Sequence, residues 1–143
     1  MRRSTRETLV DRLAEHGRVV EVGVGRRPEV ASALADAGVA VTATDIEPRA
    51  VPPTVEFVVD DVTDPVLAYY ADVDAIYACN LPPDLHHSAL ALARKVGADL
   101  LFTTLGADPT TIDVERETIP GDTLFVARTD DERPAGGGGN GRP

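Results

Sequence analysis

Apolar positions along this chain switch between two periods, and the alternation predicts strands and helices in regular succession. Ser4-Thr5-Arg6-Glu7 has the S-x-x-E form of a capping box, and Leu9, Val10 and Leu13 follow at helical spacing. This predicts a first helix over residues 5–16, ended by Gly17 in left-handed geometry. A β-branched run over 18–24 predicts a buried first strand. Pro28 suits the first turn of a second helix, whose stripe of Val30, Leu34 and Ala37 stops at Gly38. Residues 39–44 form the second strand, closed by Asp45, and 55–59 the third. Asp64-Pro65 opens a short helix through Tyr69 and Tyr70, with both rings expected half-buried. The fourth strand covers 75–79, and Asn80-Leu81-Pro82-Pro83 turns into a long helix over 84–96. Its apolar face is Leu85, Ala89, Leu92 and Val96, and Gly97 ends it. A fifth strand follows at 100–104. Strands over 112–118 and 123–128 flank Pro120-Gly121-Asp122, a hairpin signal.

Strands alternating with helices require a parallel sheet with right-handed crossovers. The expected fold is α/β, a Rossmann-like doubly wound sheet in the order 3-2-1-4-5 plus a C-terminal hairpin, with helices on both faces. Residues 1–129 are expected to form this domain, and 130–143, with four consecutive glycines, a disordered tail. Ligands of such sheets sit outside the carboxyl ends of the strands, beside the first.

Charge changes the picture of partners. The net charge is −10, and Lys95 is the only lysine among 14 basic residues. An acidic, arginine-dominated composition resembles haloarchaeal proteins, because strong salt screens self-repulsion; an ordinary acidic bacterial protein is the alternative. Either reading argues against nucleic acid as a whole-surface partner, although a local basic cluster is compatible with one. Without a membrane-length apolar run or a signal-peptide core, the chain is expected to be cytoplasmic. A lone Cys79 agrees with a reducing compartment.

Candidate chemistry falls at the predicted strand ends. Val19-Val20-Glu21-Val22-Gly23-Val24-Gly25 is a strand running into G-x-G, which lets the backbone turn sharply and approach a ligand. Asp45 follows Gly23 by 22 residues and ends the second strand, close to the roughly 20-residue spacing at which an acid accepts ribose hydroxyls. Asp60-Asp61 ends the third strand, and Glu21 precedes the first glycine by two positions. Singly, each acid also suits a solvated loop or a helix cap; their succession at strand ends points to a bound nucleoside. A nicotinamide dinucleotide wants G-x-G-x-x-G, and Pro28 occupies the sixth position here.

The E-x-G-x-G segment, with one acid after strand two and another after strand three, resembles class I S-adenosylmethionine-dependent methyltransferases. That resemblance, over about residues 18–104, implies S-adenosylmethionine as cofactor. It puts Gly23 and Gly25 beside the methionine part and Glu21 near its ammonium. It also gives the ribose to Asp45, and the adenine amine to Asp61 or Asp60. The chain departs from the pattern at Arg26-Arg27-Pro28, where a further glycine is usual. Two cations at a helix N-terminus oppose the macrodipole; they face solvent, meet the cofactor carboxylate or bind a phosphorylated ligand. More closely, the capped first helix, E-V-G-V-G-R, T-D-I, I-Y and P-P resemble a small archaeal family of methyltransferase-like Rossmann proteins. That resemblance implies the fold and no reaction.

Catalytic candidates are sparse. Asn80, Pro82 and the Pro-Pro turn stand where amino-group methyltransferases carry an N/D-P-P-aromatic loop, but Leu81 is inserted and Asp84 replaces the ring. A plain helix-initiating turn is the favoured account of them. His86, in the next turn, is a candidate general base or a solvated helix residue. With Asp84 and His87 it makes a poor metal set, because adjacent histidines on a helix point in different directions and no cysteine or further ligand accompanies them, so no metal is expected. A minimal methyltransferase, a non-catalytic module acting through a protein partner or homodimer, and a nucleotide-dependent oxidoreductase are the functions in play.

Overall fold

β1 (Arg18–Val22) is exposed only at its first residue, as a strand enclosed on both sides must be. It pairs in parallel with β2 (Ala40–Asp45) on one side and β4 (Ala75–Ala78) on the other. β3 (Glu56–Val59) extends the sheet beyond β2, and β5 (Asp99–Phe102) beyond β4. The computed structural model describes residues 1–129, so the tail expected to be disordered over 130–143 lies outside the described residues. Among the described residues, seven strands form one sheet in the order β3-β2-β1-β4-β5-β7-β6. The Rossmann-like order expected for the first five strands holds.

The hairpin of β6 (Glu115–Ile119) and β7 (Asp122–Ala127) does more than append two strands. β7 inserts antiparallel against β5 and leaves β6 outermost. The residue types explain the order. Leu124 to Ala127 are buried and need neighbours on both sides, whereas Glu115, Arg116 and Glu117 suit an edge that must stay in water.

Helices cover both faces. α1 (Arg3–Leu13) and α2 (Glu29–Asp36) bury Leu9, Leu13, Val30, Ala31 and Leu34 against Val19, Val41 and Leu101. α3 (His86–Val96) packs Ala89, Leu92 and Ala93 onto Val20, Ile76 and Leu100. Gly38 and Gly97 take the left-handed conformation expected where α2 and α3 end.

Local expectations shift at four places. α1 begins at Arg3 with no side-chain cap, so the Ser4 capping box does not form. Thr5 instead turns inward and donates its hydroxyl to the Pro120 carbonyl of the hairpin turn. Gly17 is not left-handed; its amide and that of Arg18 donate to Asp74. Ala37 is exposed, and Ala31 takes its place in the apolar stripe. The helix opened by Asp64-Pro65 shrinks to a 3-10 turn over Leu67–Tyr70, in which Tyr70 is fully buried. Among the described residues no helix is long and apolar enough to cross a membrane.

Candidate functional site

The carboxyl edge of the sheet is organised around the turn between β1 and α2. Gly23 and Gly25 both have positive φ, +72° and +59°, which a side chain would strain. A Cβ at either position would meet nothing within 4 Å, so the backbone of the turn faces open space. Gly23 and Val24 donate to the Thr44 carbonyl of β2, which fixes the turn to the neighbouring strand end.

Asp45 is the hinge of this arrangement. Its Oδ2 accepts the Gly25 amide at 2.9 Å and its Oδ1 accepts the Glu47 amide at 3.1 Å. Arg49 approaches Oδ2 to 3.4 Å. Burial favours the neutral acid, but the two amides and Arg49 outweigh it and hold the carboxyl below its ordinary range. The next residue, Ile46, is 68% exposed. An aliphatic side chain left in water beside a fixed carboxylate offers an apolar surface against which a flat ring can lie. Nothing in the Thr44-Asp45-Ile46 segment alone signals a role for Ile46.

Asp60 and Asp61, read as a pair, separate in space. Asp60 is buried, accepting the Tyr70 hydroxyl at 2.5 Å and the Val66 amide at 3.1 Å. Asp61 is exposed and accepts the Thr63 amide and hydroxyl, which lower its pKa. Of the two, only Asp61 is open to a ligand; Asp60 fixes the segment that carries it.

Glu21, two residues before Gly23, is enclosed. It is 1% exposed, and its Oε1 accepts the Tyr77 hydroxyl at 2.7 Å, its register partner on β4. Burial pushes its carboxyl up to about 7, against the opposing effect of the Tyr77 hydrogen bond. Its carboxyl is thereby turned into the sheet interior, below the β1–α2 turn. The alternation of one parallel strand pair sets this pairing, a signal visible only once the register is known.

Around the end of β4, Thr103 ties the turn down. Its Oγ1 accepts the Asn80 amide and donates to Asn80 Oδ1, and its carbonyl accepts the Leu81 amide. Asn80 has φ +60° and is exposed, as is Pro82. The inserted Leu81 is 2% exposed, packed in the core beneath α3. That anchor explains why the loop departs from N-P-P. His86 is fully buried, neither a solvated helix residue nor a base facing the edge. Its Nδ1 accepts the Thr111 amide at 3.2 Å, so Nε2 carries the proton and donates to the Leu81 carbonyl at 3.0 Å. Its ring lies 4.7 Å from that of Phe102. The neighbouring cleft, about 110 Å³, is lined by Arg6, Arg27, Glu29, Cys79 and Asn80.

The fold recurs in solved structures. A TehB-like SAM-dependent methyltransferase from Corynebacterium glutamicum matches with a TM-score of 0.60 at 18% identity, covering 87% of this chain and 86% of that one. The methyltransferase domain of bacterial CtHen1-CN matches with a TM-score of 0.62 at 12% identity, covering 85% and 95%. At such identities the likeness establishes a methyltransferase-like Rossmann fold. In sequence, a protein of Halobacterium salinarum is 54% identical over 122 residues, 85% of this chain and 95% of its own length. One of Archaeoglobus fulgidus is 44% identical over 102 residues, 70% and 78% of the two chains. Both carry the designation UPF0146, and residues 5–130 match the family described as "Uncharacterised protein family (UPF0146)". The archaeal family expected from the motifs is thereby identified: the chain belongs to UPF0146.

Proposed function

We propose that this protein binds S-adenosylmethionine at the carboxyl edge of the sheet, between the β1–α2 turn and the ends of β2 and β3, and acts as a minimal methyltransferase. The observation that carries the reading is the coupling of Asp45 to Gly25: one carboxylate fixes the open glycine turn and stays ionised beside it. The open space over Gly23 and Gly25 fits a ligand lying against the turn. In this reading Asp45 takes the ribose hydroxyls, Ile46 lies under the adenine ring and Asp61 accepts the adenine amine. Glu21 acts through space from beneath the turn, since its carboxylate has no open path to a ligand. The cofactor supplies an electrophilic methyl group on its sulfonium, and the exposed Asn80 at the end of β4 is the side chain best placed to orient an acceptor. The likeness in fold to SAM-dependent methyltransferases supports this reading.

The test is calorimetric titration with S-adenosylhomocysteine. Asp45→Asn keeps the size and an oxygen acceptor but removes the charge, and is expected to weaken binding about 10- to 100-fold, the effect of losing a charge-assisted pair. Unchanged affinity in a folded variant refutes the assignment of Asp45. A second reading, a cofactor-binding module that needs a partner chain for catalysis, is favoured by the full burial of His86, which takes the candidate general base away from the carboxyl edge. Methyl transfer by the isolated chain to any component of a cell extract rules it out.

A further inference from the structure

Several arginines at one edge of the sheet have no carboxylate partner, although acidic residues outnumber basic ones in this chain. Arg3, Arg12, Arg49 and Arg128 each meet a carboxylate within 4 Å. Arg6, Arg26 and Arg27 have no ion pair or side-chain hydrogen bond among the described residues. In a chain with 24 acidic and 14 basic residues, three cations without a carboxylate partner stand together at this edge. Arg6, from α1, and Arg27, from the β1–α2 turn, line the same cleft beside Asn80. Arg26 is exposed next to Arg27 in that turn.

The negative groups around this cleft do not neutralise the arginines. Glu29 is the one carboxylate in the lining, and it makes no ion pair with either cation among the described residues. Asp122 accepts the Thr123 amide, and Glu21 is buried with the Tyr77 hydroxyl. The cleft's 110 Å³ is room for about three or four waters at roughly 30 Å³ each. That accommodates a phosphate or pyrophosphate group, with any remainder of the molecule outside the cleft.

S-adenosylmethionine does not answer this charge. Its sulfonium and ammonium outweigh its single carboxylate, so the cofactor is a net cation and three unpaired guanidiniums repel it. We infer that the cleft between Arg6, Arg27 and Asn80 is an oxyanion site that holds a phosphate-bearing small molecule. As the acceptor of the methyl group, this molecule rests on the cofactor reading above; as a bound anion, it does not. Guanidinium forks match phosphate oxygens two at a time, which gives the contact direction as well as charge. The anion also offsets the cationic cofactor across the β1–α2 turn, so each ligand favours the other.

Inorganic pyrophosphate is the probe, titrated into the full chain by calorimetry at the lowest salt that keeps it folded, with and without S-adenosylhomocysteine. Wild type is expected to bind it, and Arg6→Gln and Arg27→Gln each to weaken it about tenfold, the loss of one charge-assisted contact. Affinity for S-adenosylhomocysteine should stay unchanged in both variants. Arg18→Gln, at the opposite edge of the sheet, controls for net charge and should bind pyrophosphate like wild type. Absence of binding to wild type, equal weakening by Arg18→Gln, or competition between the two ligands would overturn the site. Tighter, variant-sensitive binding of single-stranded RNA would overturn the small-molecule assignment. Pyrophosphate binding that depends on Arg6 and Arg27 while S-adenosylhomocysteine does not bind upholds the oxyanion site and overturns the cofactor reading.

Discussion

Glu21→Gln will be about as stable as wild type near pH 4 and about 3 kcal/mol more stable near pH 8, the equivalent of the carboxyl's rise to about 7. The sign follows from proton counting. Unfolded, the carboxyl titrates in the ordinary glutamate range; folded, burial raises it to about 7. Between those values the folded chain keeps a proton that the unfolded chain has released, so wild-type stability falls as pH rises through the window. Glutamine mimics the protonated acid, still accepts the Tyr77 hydroxyl and cannot titrate. Asp45 and Asp61, whose carboxyls are lowered, lose their stabilising contribution only as pH falls below the ordinary aspartate range, and they are common to both proteins. Urea unfolding across pH, at fixed salt, reads the difference between the two chains. Any constant offset from the extra amide hydrogen cancels in the slope. Tyr77→Phe should move the transition upward in pH, because its hydroxyl favours the ionised carboxylate. A wild-type-minus-variant difference that does not change with pH would refute the titration of Glu21 in the folded state.

This carboxylate also links stability to the proposed ligand. A net cation above the turn favours the ionised form of Glu21, so cofactor binding would draw a proton off the protein near neutral pH. The fold then keeps a destabilising acid in its core for the ligand's benefit, the kind of local conflict that sequences tolerate at functional sites.

Much of this arrangement is legible in the residues. β1, the glycine turn and Asp45 follow from a β-branched run, two positions that need positive φ and a spacing set by one crossover. What stayed hidden depends on contacts between distant segments. Asp60 and Asp61 are adjacent and chemically alike, and only the packing of Tyr70 decides which turns inward. The capping box at Ser4 was a sound local signal, but docking of Thr5 on the hairpin turn outcompeted it. The strand order past β5 was within reach. A strand reading Glu-Arg-Glu-Thr-Ile suits an edge, and one reading Thr-Leu-Phe-Val-Ala suits an interior, so β7 had to lie between β5 and β6.

His86 is the residue whose role changes most between sequence and structure, and it carries the second large effect. His86→Ala is expected to cost about 3 kcal/mol, combining the cavity left by a buried ring with two broken hydrogen bonds. The Leu81 carbonyl loses its donor inside the core, and the Thr111 amide loses its acceptor. Phe102 loses a ring contact at 4.7 Å. Because this histidine joins the start of α3 to the loop after β5, the variant should also loosen the turn that carries Asn80. Its melting temperature should fall by roughly 10 °C, while the affinity of the folded fraction for S-adenosylhomocysteine stays within about twofold of wild type. His86→Phe separates the two contributions, since it refills the cavity but makes neither hydrogen bond, and should recover part of the loss. A general base would behave in the opposite way, leaving stability unchanged and abolishing methyl transfer. A stable, inactive His86→Ala would return this residue to the chemistry, and an unstable variant with intact cofactor affinity fixes it as the clamp between α3 and the 103–114 segment.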